Sequence, residues 1–350
     1  MSGSTPVRGA RPTPRALKAP LPFDEAAEPT PVSTGRLAVA TVQARLEQAH
    51  ARYADLDEGA VADYIPALAS ARPELFGVCV AGVEGGVFGV GDIDVPFSIQ
   101  SVSKPFVFAL VCDAIGHEAA RDKIGVNSTG LPFNSVMALE LSEDRTLNPM
   151  VNPGAIATTS LVPGATVDDQ WAFILDGLSR FAGRPLVVDE AVYASEMATN
   201  LRNQGIAHLL DSYERLYADP EEIVGVYTRQ CSLLVTARDL AVMGATLADG
   251  GVNPQTGERV IAAHHCKRVL AVLATAGLYE NTGDWLYEVG LPGKSGVSGG
   301  IVTIAPGKGG LGTYSPPLDE AGNSVRGQRV TKHLSETLGL NLFASRPAPS

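Results

Sequence analysis

Residues 97–107 read F-S-I-Q-S-V-S-K-P-F-V and place Ser101 and Lys104 at the start of an apolar helix. Residues three apart lie on one face of a helix, so the hydroxyl and the amine can meet. Pro105 is tolerated in a first helical turn, and the apolar run Phe106–Val111 predicts a buried helix. Because a buried lysine favours its neutral form and can accept the proton of a serine, the stretch predicts a nucleophile with its base.

A Ser-x-x-Lys pair is weak evidence when it stands alone. The tetrapeptide occurs by chance, and a structural role is then the more frequent one. The function of the pair therefore depends on what the rest of the chain places around it.

The 350-residue chain is acidic, with 27 lysines and arginines against 38 aspartates and glutamates and a formal net charge of −11. This balance, without a basic cluster, argues against nucleic acid and anionic membrane as partners. No apolar stretch reaches the roughly 18 residues that a membrane span needs. The four cysteines lie far apart without a C-x-x-C pair, which favours reduced thiols in the cytoplasm and no zinc site.

The two ends of the chain are predicted to be tails. Residues 1–35 are rich in Pro, Ser, Thr, Gly and Ala and cannot bury enough surface to become ordered. Their basic residues are followed by no apolar segment, so we predict no secretory signal. Residues 344–350 form a second tail.

The N-terminal part of the domain predicts one helix and one hairpin. Apolar residues recur at helical spacing over Arg36–Leu56. Residues 76–92 contain two valine-rich runs joined by Glu84-Gly85-Gly86, which is a hairpin signal. Tyr64 lies between these elements in a loop or short helix and is expected to be exposed.

The middle of the chain is mainly helical in pattern. A loop over 125–134 and a second over 148–156 interrupt it, and the second opens a helix that starts near Ala155. The predicted helices are Thr166–Phe181, Asp189–Leu210, one that includes Val224–Cys231, and Thr236–Asp249.

The pattern returns to strands past Trp285, beginning at Tyr287–Gly290 and continuing through Lys294-Ser295-Gly296, and it closes with a helix over Asn323–Leu338. An antiparallel sheet built from both chain ends and flanked by helices, an α+β fold, explains this order. We predict one domain over 36–343. Its sheet subdomain comprises 36–111 and 285–343, and 112–284 form an inserted helical subdomain.

Three features coincide: Ser-x-x-Lys after a sheet, an asparagine-bearing loop, and Lys-Ser-Gly on a late strand. This is the layout of penicillin-recognising acyl-serine enzymes. More specifically, the chain resembles the bacterial-type, kidney/liver-related glutaminase family over about residues 36–343. Five blocks in the family's order carry the resemblance: F-S-I-Q-S-V-S-K-P, L-N-P-M-V-N-P-G-A-I, Q-C-S-L-L-V-T, A-D-G-G-V-N-P-x-T-G-E-R-V and G-L-P-G-K-S-G-V-S-G-G.

The resemblance implies a β-lactamase/DD-peptidase-like fold and hydrolysis of L-glutamine to L-glutamate and ammonia through a glutamyl-serine ester. Ser101 then corresponds to the nucleophile and Lys104 to its general base, with Tyr227 and Tyr279 as catalytic partners. The positions that match substrate-binding residues are Ser101, Asn152, Glu196, Asn203, Tyr227, Tyr279 and Val297, with Tyr64 and Gln100 as further pocket residues. The family usually has alanine after the pocket asparagine, whereas this chain has Pro153, which is expected to hold Asn152 extended.

These residue types suit glutamine. Glu196 can neutralise the α-ammonium, while Asn152, Asn203 and Tyr227 can donate to the α-carboxylate. Backbone N–H groups of Ser101 and Val297 are the expected donors to the oxyanion. Lys294 is expected to help lower the pKa of Lys104.

The expected chemistry requires no metal and no organic cofactor. The adjacent pair His264-His265 is expected to have a surface role, because neighbouring imidazoles point to different faces of a helix. The resemblance also suggests a homodimer or a homotetramer.

Two alternatives to a glutaminase remain open at the level of sequence. One is a β-lactamase or penicillin-binding type of acyl-serine hydrolase, which the absence of a predicted signal peptide disfavours. The other is a non-catalytic glutamine-binding sensor in which Ser101 is idle.

Overall fold

The computed structural model of the protein describes residues 39–128, 132, 134–141 and 145–345. The predicted tail 1–35, the first three residues of the predicted helix Arg36–Leu56, most of the tail 344–350 and part of the 125–134 loop lie outside the described residues. Among the described residues, every helix is too short or too polar to cross a bilayer.

The central element is a five-stranded antiparallel sheet with strand order β2-β1-β7-β6-β5. Its strands are β1 (Gly77–Gly82), β2 (Val87–Gly91), β5 (Gly293–Ser295), β6 (Gly300–Ala305) and β7 (Gly309–Tyr314), while β3 (Phe97–Ser98) and β4 (Leu234–Val235) form a separate short pair. The sheet is therefore built from both ends of the domain, as predicted. The predicted hairpin is also present, with Val78 opposite Val90.

Thirteen α-helices occur in the described part of the chain. They are α1 (Val39–Tyr53), α2 (Ser103–Ile115), α3 (His117–Ile124), α4 (Val136–Leu141), α5 (Asn152–Ser160), α6 (Val167–Ala182), α7 (Glu190–Thr199), α8 (Leu201–Ser212), α9 (Pro220–Cys231), α10 (Ala237–Ala248), α11 (Ala263–Ala276), α12 (Thr282–Glu288) and α13 (Val325–Thr337). Two single turns of 3₁₀ helix, η1 (Gln100–Val102) and η2 (Tyr279–Asn281), precede α2 and α12.

The sheet separates two layers of helices, because alternate side chains of a strand point to opposite faces. Val78 of β1 packs with Leu46 of α1 and Val330 of α13 on one face. Its neighbour Cys79 belongs to the large core on the other face, where α10 lies on the sheet. Gly310 in β7 permits this close approach, because a Cβ there would overlap the carbonyl oxygen of Ala241 in α10.

Helix α2 lies at the centre of the helical layer and is buried on all sides over its first ten residues. Phe106 packs on Phe181 of α6 with ring centroids 5.1 Å apart. Gly177 of α6 faces Leu110, and a Cβ at this glycine would overlap the leucine side chain. The predicted buried helix behind the Ser-x-x-Lys pair is thus observed.

Two predictions of secondary structure are wrong in detail. The helix predicted over Asp189–Leu210 is two helices, α7 and α8, because Asn200 leaves helical geometry with φ −84° and ψ 25°. The segment Tyr287–Gly290 does not start a strand, since α12 continues to Glu288 and the chain turns at Gly290 with φ 68°.

Candidate active site

Ser101 and Lys104 lie on one continuous helical segment. Ser101 is the middle residue of η1, and Val102 and Ser103 keep helical dihedrals into α2. The serine is partly exposed, whereas Lys104 is only 1% exposed. The two side chains therefore share a face, with the hydroxyl towards solvent and the amine behind it.

The amine of Lys104 is held by two oxygen atoms. Its Nζ donates to Oδ1 of Asn152 at 2.7 Å and to the carbonyl oxygen of Met150 at 3.2 Å. Burial lowers the pKa of Lys104 to about 8, against a smaller opposing effect of Cys231. These two contacts hold the amine in position on the buried side of Ser101.

The pKa of Lys104 falls as predicted, with burial as the expected main cause, but the expected contribution of Lys294 is not found. Burial lowers it, and Lys294 is not among the causes. It is Lys294 whose pKa is held well below its usual value by burial and by the charge of Lys104.

Asn152 connects the base to the substrate side of the site. Its Nδ2 donates to Oδ1 of Asn203 at 3.0 Å, and the hydroxyl of Tyr227 lies 3.5 Å from its Oδ1. The expectation that Pro153 holds Asn152 extended is wrong, because Asn152 is the first residue of α5 and the extended residue is Val151, with φ −93° and ψ 158°. Proline is accommodated in this first turn because its missing N–H needs no partner there.

Gln100 and Glu196 form the acidic corner of the site. Nε2 of Gln100 donates to Oε1 of Glu196 at 2.6 Å and to Oγ of Ser98 at 3.1 Å. Burial raises the pKa of Glu196, and the hydrogen bond from Gln100 opposes that shift. Gln100 has φ 51°, a left-handed conformation that costs energy and is concentrated at functional sites.

Tyr279 lies next to Ser101. Its hydroxyl donates to the carbonyl oxygen of Ser295 at 3.1 Å and is also hydrogen-bonded to Ser101. Burial raises the pKa of Tyr279, so its hydroxyl stays protonated at neutral pH. Nζ of Lys294 lies 4.3 Å from the centre of the tyrosine ring and donates to the same Ser295 oxygen at 2.8 Å.

Tyr227, a predicted site residue, is paired with Cys231, which was not predicted. They lie four residues apart on α9, and their side chains are hydrogen-bonded. Burial raises the pKa of Tyr227 well above its usual value and that of Cys231 to about 12, so both remain neutral. Cys231 was missed as a site residue, although its i, i+4 spacing from Tyr227 was the signal that could have found it.

Val297 lies in the turn that follows β5. The amide of Gly299 donates to the carbonyl of Gly296 at 3.0 Å, which closes the turn around Val297. Gly296 packs against the segment before the nucleophile, since a Cβ there would lie 3.1 Å from the carbonyl oxygen of Ile99. The end of β5 therefore packs closely against the segment before Ser101, and glycine at position 296 makes this possible.

A cleft of about 1590 Å³ opens over these residues. Eight of the ten predicted site residues line it: Tyr64, Gln100, Ser101, Asn152, Glu196, Asn203, Tyr227 and Val297. Lys104 and Tyr279 lie behind this lining. Tyr64 is 61% exposed at the mouth, as expected.

The expectation of a surface role for the His264-His265 pair is wrong for one member. His264 is exposed, whereas His265 is 4% exposed. The two rings do not diverge, because their centroids lie 3.9 Å apart.

Comparison with known proteins gives a consistent result. The family model described as Glutaminase matches residues 59–343. Glutaminase 2 of Yersinia pestis is 59% identical over 317 residues, which cover 90% of this chain and 93% of that protein. The structure of the probable glutaminase ybaS has a TM-score of 0.87 and 46% identity and covers 88% of this chain and 100% of that one.

A third relative is more distant. The Bacillus subtilis glutaminase YbgJ, in a covalent complex with 5-oxo-L-norleucine formed by reaction with 6-diazo-5-oxo-L-norleucine, has a TM-score of 0.76 and 31% identity. It covers 87% of this chain and 99% of that one.

Proposed function

Because this chain belongs to the glutaminase family and hydrolyses L-glutamine to L-glutamate and ammonia, we propose that the reaction proceeds through a glutamyl ester on Ser101, with Lys104 as the general base. The observation that carries this mechanism is the buried amine of Lys104, three residues after Ser101, with its pKa lowered to about 8. A base of this kind is what a serine hydroxyl needs near neutral pH.

In the first half of the reaction, Oγ of Ser101 attacks the side-chain amide carbon and its proton passes to Nζ of Lys104. A tetrahedral oxyanion forms. The carbon–nitrogen bond then breaks, and the nitrogen leaves as ammonia with the proton that Lys104 had taken. The Tyr279 hydroxyl, hydrogen-bonded to Ser101 and kept protonated by burial, is the proposed relay for that proton.

In the second half, water attacks the ester carbon and gives one proton to the neutral Lys104. The bond between the carbon and Oγ breaks, and Oγ recovers the proton from Lys104. The products are L-glutamate and the free serine. Each half-reaction returns the base to its starting state.

The proposed oxyanion donors are the backbone N–H groups of Ser101 and Val297. Val297 lines the cleft beside Ser101, and Gly296 packs the turn against Ile99. Within the described part of the chain the Val297 N–H donates to no backbone acceptor. Loss of one donor of this kind costs roughly 10²–10³ in rate.

The proposed binding of the two α-substituents follows from charge and hydrogen bonding. Glu196 pairs with the α-ammonium. In the free enzyme, burial raises the pKa of its carboxyl group, and the positive charge of the bound substrate would offset that effect. Asn152, Asn203 and Tyr227 form one hydrogen-bonded group on the cleft wall and donate to the α-carboxylate. Tyr64 and Gln100 complete the pocket.

Three wider assignments belong to the same proposal. The antiparallel sheet with Ser-x-x-Lys on a buried helix and Lys-Ser-Gly on a late strand supports a β-lactamase-like fold, with 112–284 as the helical subdomain. The free, buried state of all four cysteines supports action in the reducing cytoplasm. A homodimer or homotetramer is the proposed assembly, on the resemblance alone.

The test of the mechanism is covalent trapping. The protein is incubated with 6-diazo-5-oxo-L-norleucine, and the modified residue is located by peptide mass spectrometry. We expect one label per chain on Ser101, none in Ser101→Ala, and normal labelling in Ser195→Ala, which changes a serine of α7 beside Glu196. A label on another residue, or labelled Ser101→Ala, contradicts the ester.

Substrate assays separate the alternatives. Ammonia release is measured with L-glutamine and with L-asparagine, and nitrocefin turnover is measured in parallel. Turnover of nitrocefin without ammonia release would favour a β-lactamase type of hydrolase. Glutamine binding without turnover in the wild-type protein would favour a sensor.

A further inference from the structure

A cluster of three histidines lies outside the site around Ser101, where α3 meets the start of α11. His117 begins α3, directly after α2, while His264 and His265 are in the first turn of α11. The ring centroids of His117 lie 5.8 Å from His264 and 5.5 Å from His265. One ring nitrogen from each of the three lies within 4.8 Å of the others.

His265 is the member whose state requires an explanation. The residue is 4% exposed, and its Nδ1 has no hydrogen-bond partner among the described residues. A buried polar atom without a partner typically costs about 1–3 kcal/mol, so such atoms usually indicate something that completes them. Its Nε2 lies 3.9 Å from Oδ1 of Asp113, which is beyond hydrogen-bond distance.

The surroundings of His265 favour its neutral form. Burial lowers the pKa of His265, and His264, His117 and Arg268 lower it further against the opposing charge of Asp113. Neutral imidazole is the form that binds metal ions. Nη2 of Arg268 also lies 3.1 Å from Nε2 of His117 and occupies that nitrogen in the metal-free protein.

We propose that His117, His264 and His265 bind one divalent transition-metal ion of the zinc, nickel or copper class. Three imidazole nitrogens suit these ions, whereas magnesium and calcium prefer oxygen. Metal–nitrogen distances of about 2.0–2.1 Å require the rings to move together from their present spacing. The guanidinium of Arg268 leaves His117 when the ion binds, because the two cations repel each other.

The position of the ion defines its role. Asp113, next to the cluster, is nine residues along α2 from Lys104, which corresponds to about 14 Å of helix. The ion therefore takes no part in the reaction at Ser101. The ion joins the start of α3 to the start of α11. Because it binds the folded chain and not the unfolded one, it stabilises the fold.

The test uses untagged protein and two probes, Zn²⁺ by titration calorimetry and Co²⁺ by visible absorption. We expect one ion per chain, with affinity that decreases as the pH is lowered, because a metal ligand must be deprotonated. His117→Gln and His264→Gln should each weaken binding by at least about 10-fold. His208→Gln, which changes an exposed histidine of α8 outside the cluster, should leave it unchanged.

The exposed position of His264 keeps the test decisive, since its replacement does not disturb the core. Equal binding by His264→Gln and His208→Gln, or no binding by the wild type, overturns the proposal. Arg268→Gln should tighten binding because it removes the competing donor. Zn²⁺ should raise Tm in the wild type and in His208→Gln, and by less in His264→Gln at the same concentration. Ammonia release should be unchanged, and an activity that requires the ion would contradict a purely structural role.

Discussion

If Lys104 is the general base, as proposed, its pKa sets the pH range in which the enzyme works. Burial lowers its pKa to about 8, so it gives up its proton at lower pH than an exposed lysine does. We expect kcat/KM to rise with pH, with a midpoint near pH 8, and to fall about tenfold per pH unit well below it. A pH–rate profile of ammonia release measures this directly.

Replacement by arginine separates charge from basicity. Lys104→Arg keeps the positive charge but cannot lose its proton in this range, so it should be inactive at every pH. Lys267→Arg, at an exposed position of α11, is the matched control and should keep the profile. An active Lys104→Arg enzyme with the same rising limb would assign the base to another group.

Glu196 is expected to control substrate binding. Glu196→Gln keeps the size and the hydrogen-bonding capacity but removes the charge opposite the α-ammonium. Binding should weaken by roughly 2–4 kcal/mol, seen as a large increase in KM, because the substrate cation is left without its partner.

The control for this change is available on the same helix. Glu190→Gln replaces an exposed glutamate in the first turn of α7 and should leave KM unchanged. If Glu196→Gln behaves like Glu190→Gln, the proposed contact with the ammonium is wrong.

The sequence predicted a set of site residues around Ser101, but it did not predict their conformations. Motif matching placed Asn152, Glu196 and Tyr227 in one site, and in the structure all three line the cleft with Ser101; their roles stay predictions. The positive φ of Gln100 and Tyr279 is imposed by the surrounding packing, and nothing in their side chains signals it. Asn152 was assigned an extended backbone because the rule for residues before proline was applied where proline starts a helix.

At the scale of secondary-structure elements, the close contact of α10 with β7 depends on glycine at position 310. Gly310→Ala would place a Cβ against the Ala241 carbonyl oxygen and the Ala245 amide, which are backbone atoms and cannot rotate away. We expect a loss of about 1–3 kcal/mol in the free energy of unfolding, the usual cost of overpacking, or more. Urea denaturation measures it.

Gly205→Ala is the matched control. This glycine is inside α8, and nothing lies within 4 Å of an added Cβ. Alanine should stabilise the protein by roughly 0.5–1 kcal/mol because it favours helix. A similar change in both variants would contradict the close packing of α10 on the sheet.

The boundaries of elements were predictable where local sequence controls them. The capping box of Thr166 and Asp169 starts α6 close to the predicted position. The break between α7 and α8 was not predictable, because Asn200 is buried and donates to Thr228 Oγ1 of α9 at 3.2 Å. A contact between distant segments overrides the local helical pattern there.

At the scale of the whole molecule, hydrogen bonds from Arg326 connect α13 to the N-terminal part of the domain. Its guanidinium donates to the carbonyl oxygens of Leu56, Pro73 and Glu74 at 2.9, 2.8 and 3.1 Å. Arg326→Met should destabilise the fold by about 3 kcal/mol, because these carbonyls lose a charged donor. The midpoint of thermal unfolding reports the loss.

An exposed arginine provides the comparison. Arg72 lies 3.9 Å from Glu74, and both side chains are about two-thirds exposed, at 65% and 67%. Arg72→Met should change stability by less than about 1 kcal/mol. Equal effects of the two substitutions would show that Arg326 contributes no more than a surface charge.

The pairing of β1 with β7 has a consequence for how the protein is made. Val78 of β1 lies opposite Thr313 of β7, so the ribosome must add more than two hundred residues before β1 obtains its second neighbour. At about 5–20 residues per second this takes roughly 10–50 s, during which β1 and its hairpin partner have an unpaired edge. Ser101 is synthesised early in this interval and Val297 near its end. If both act in catalysis as proposed, we expect the nascent chain to stay inactive until the last strands emerge.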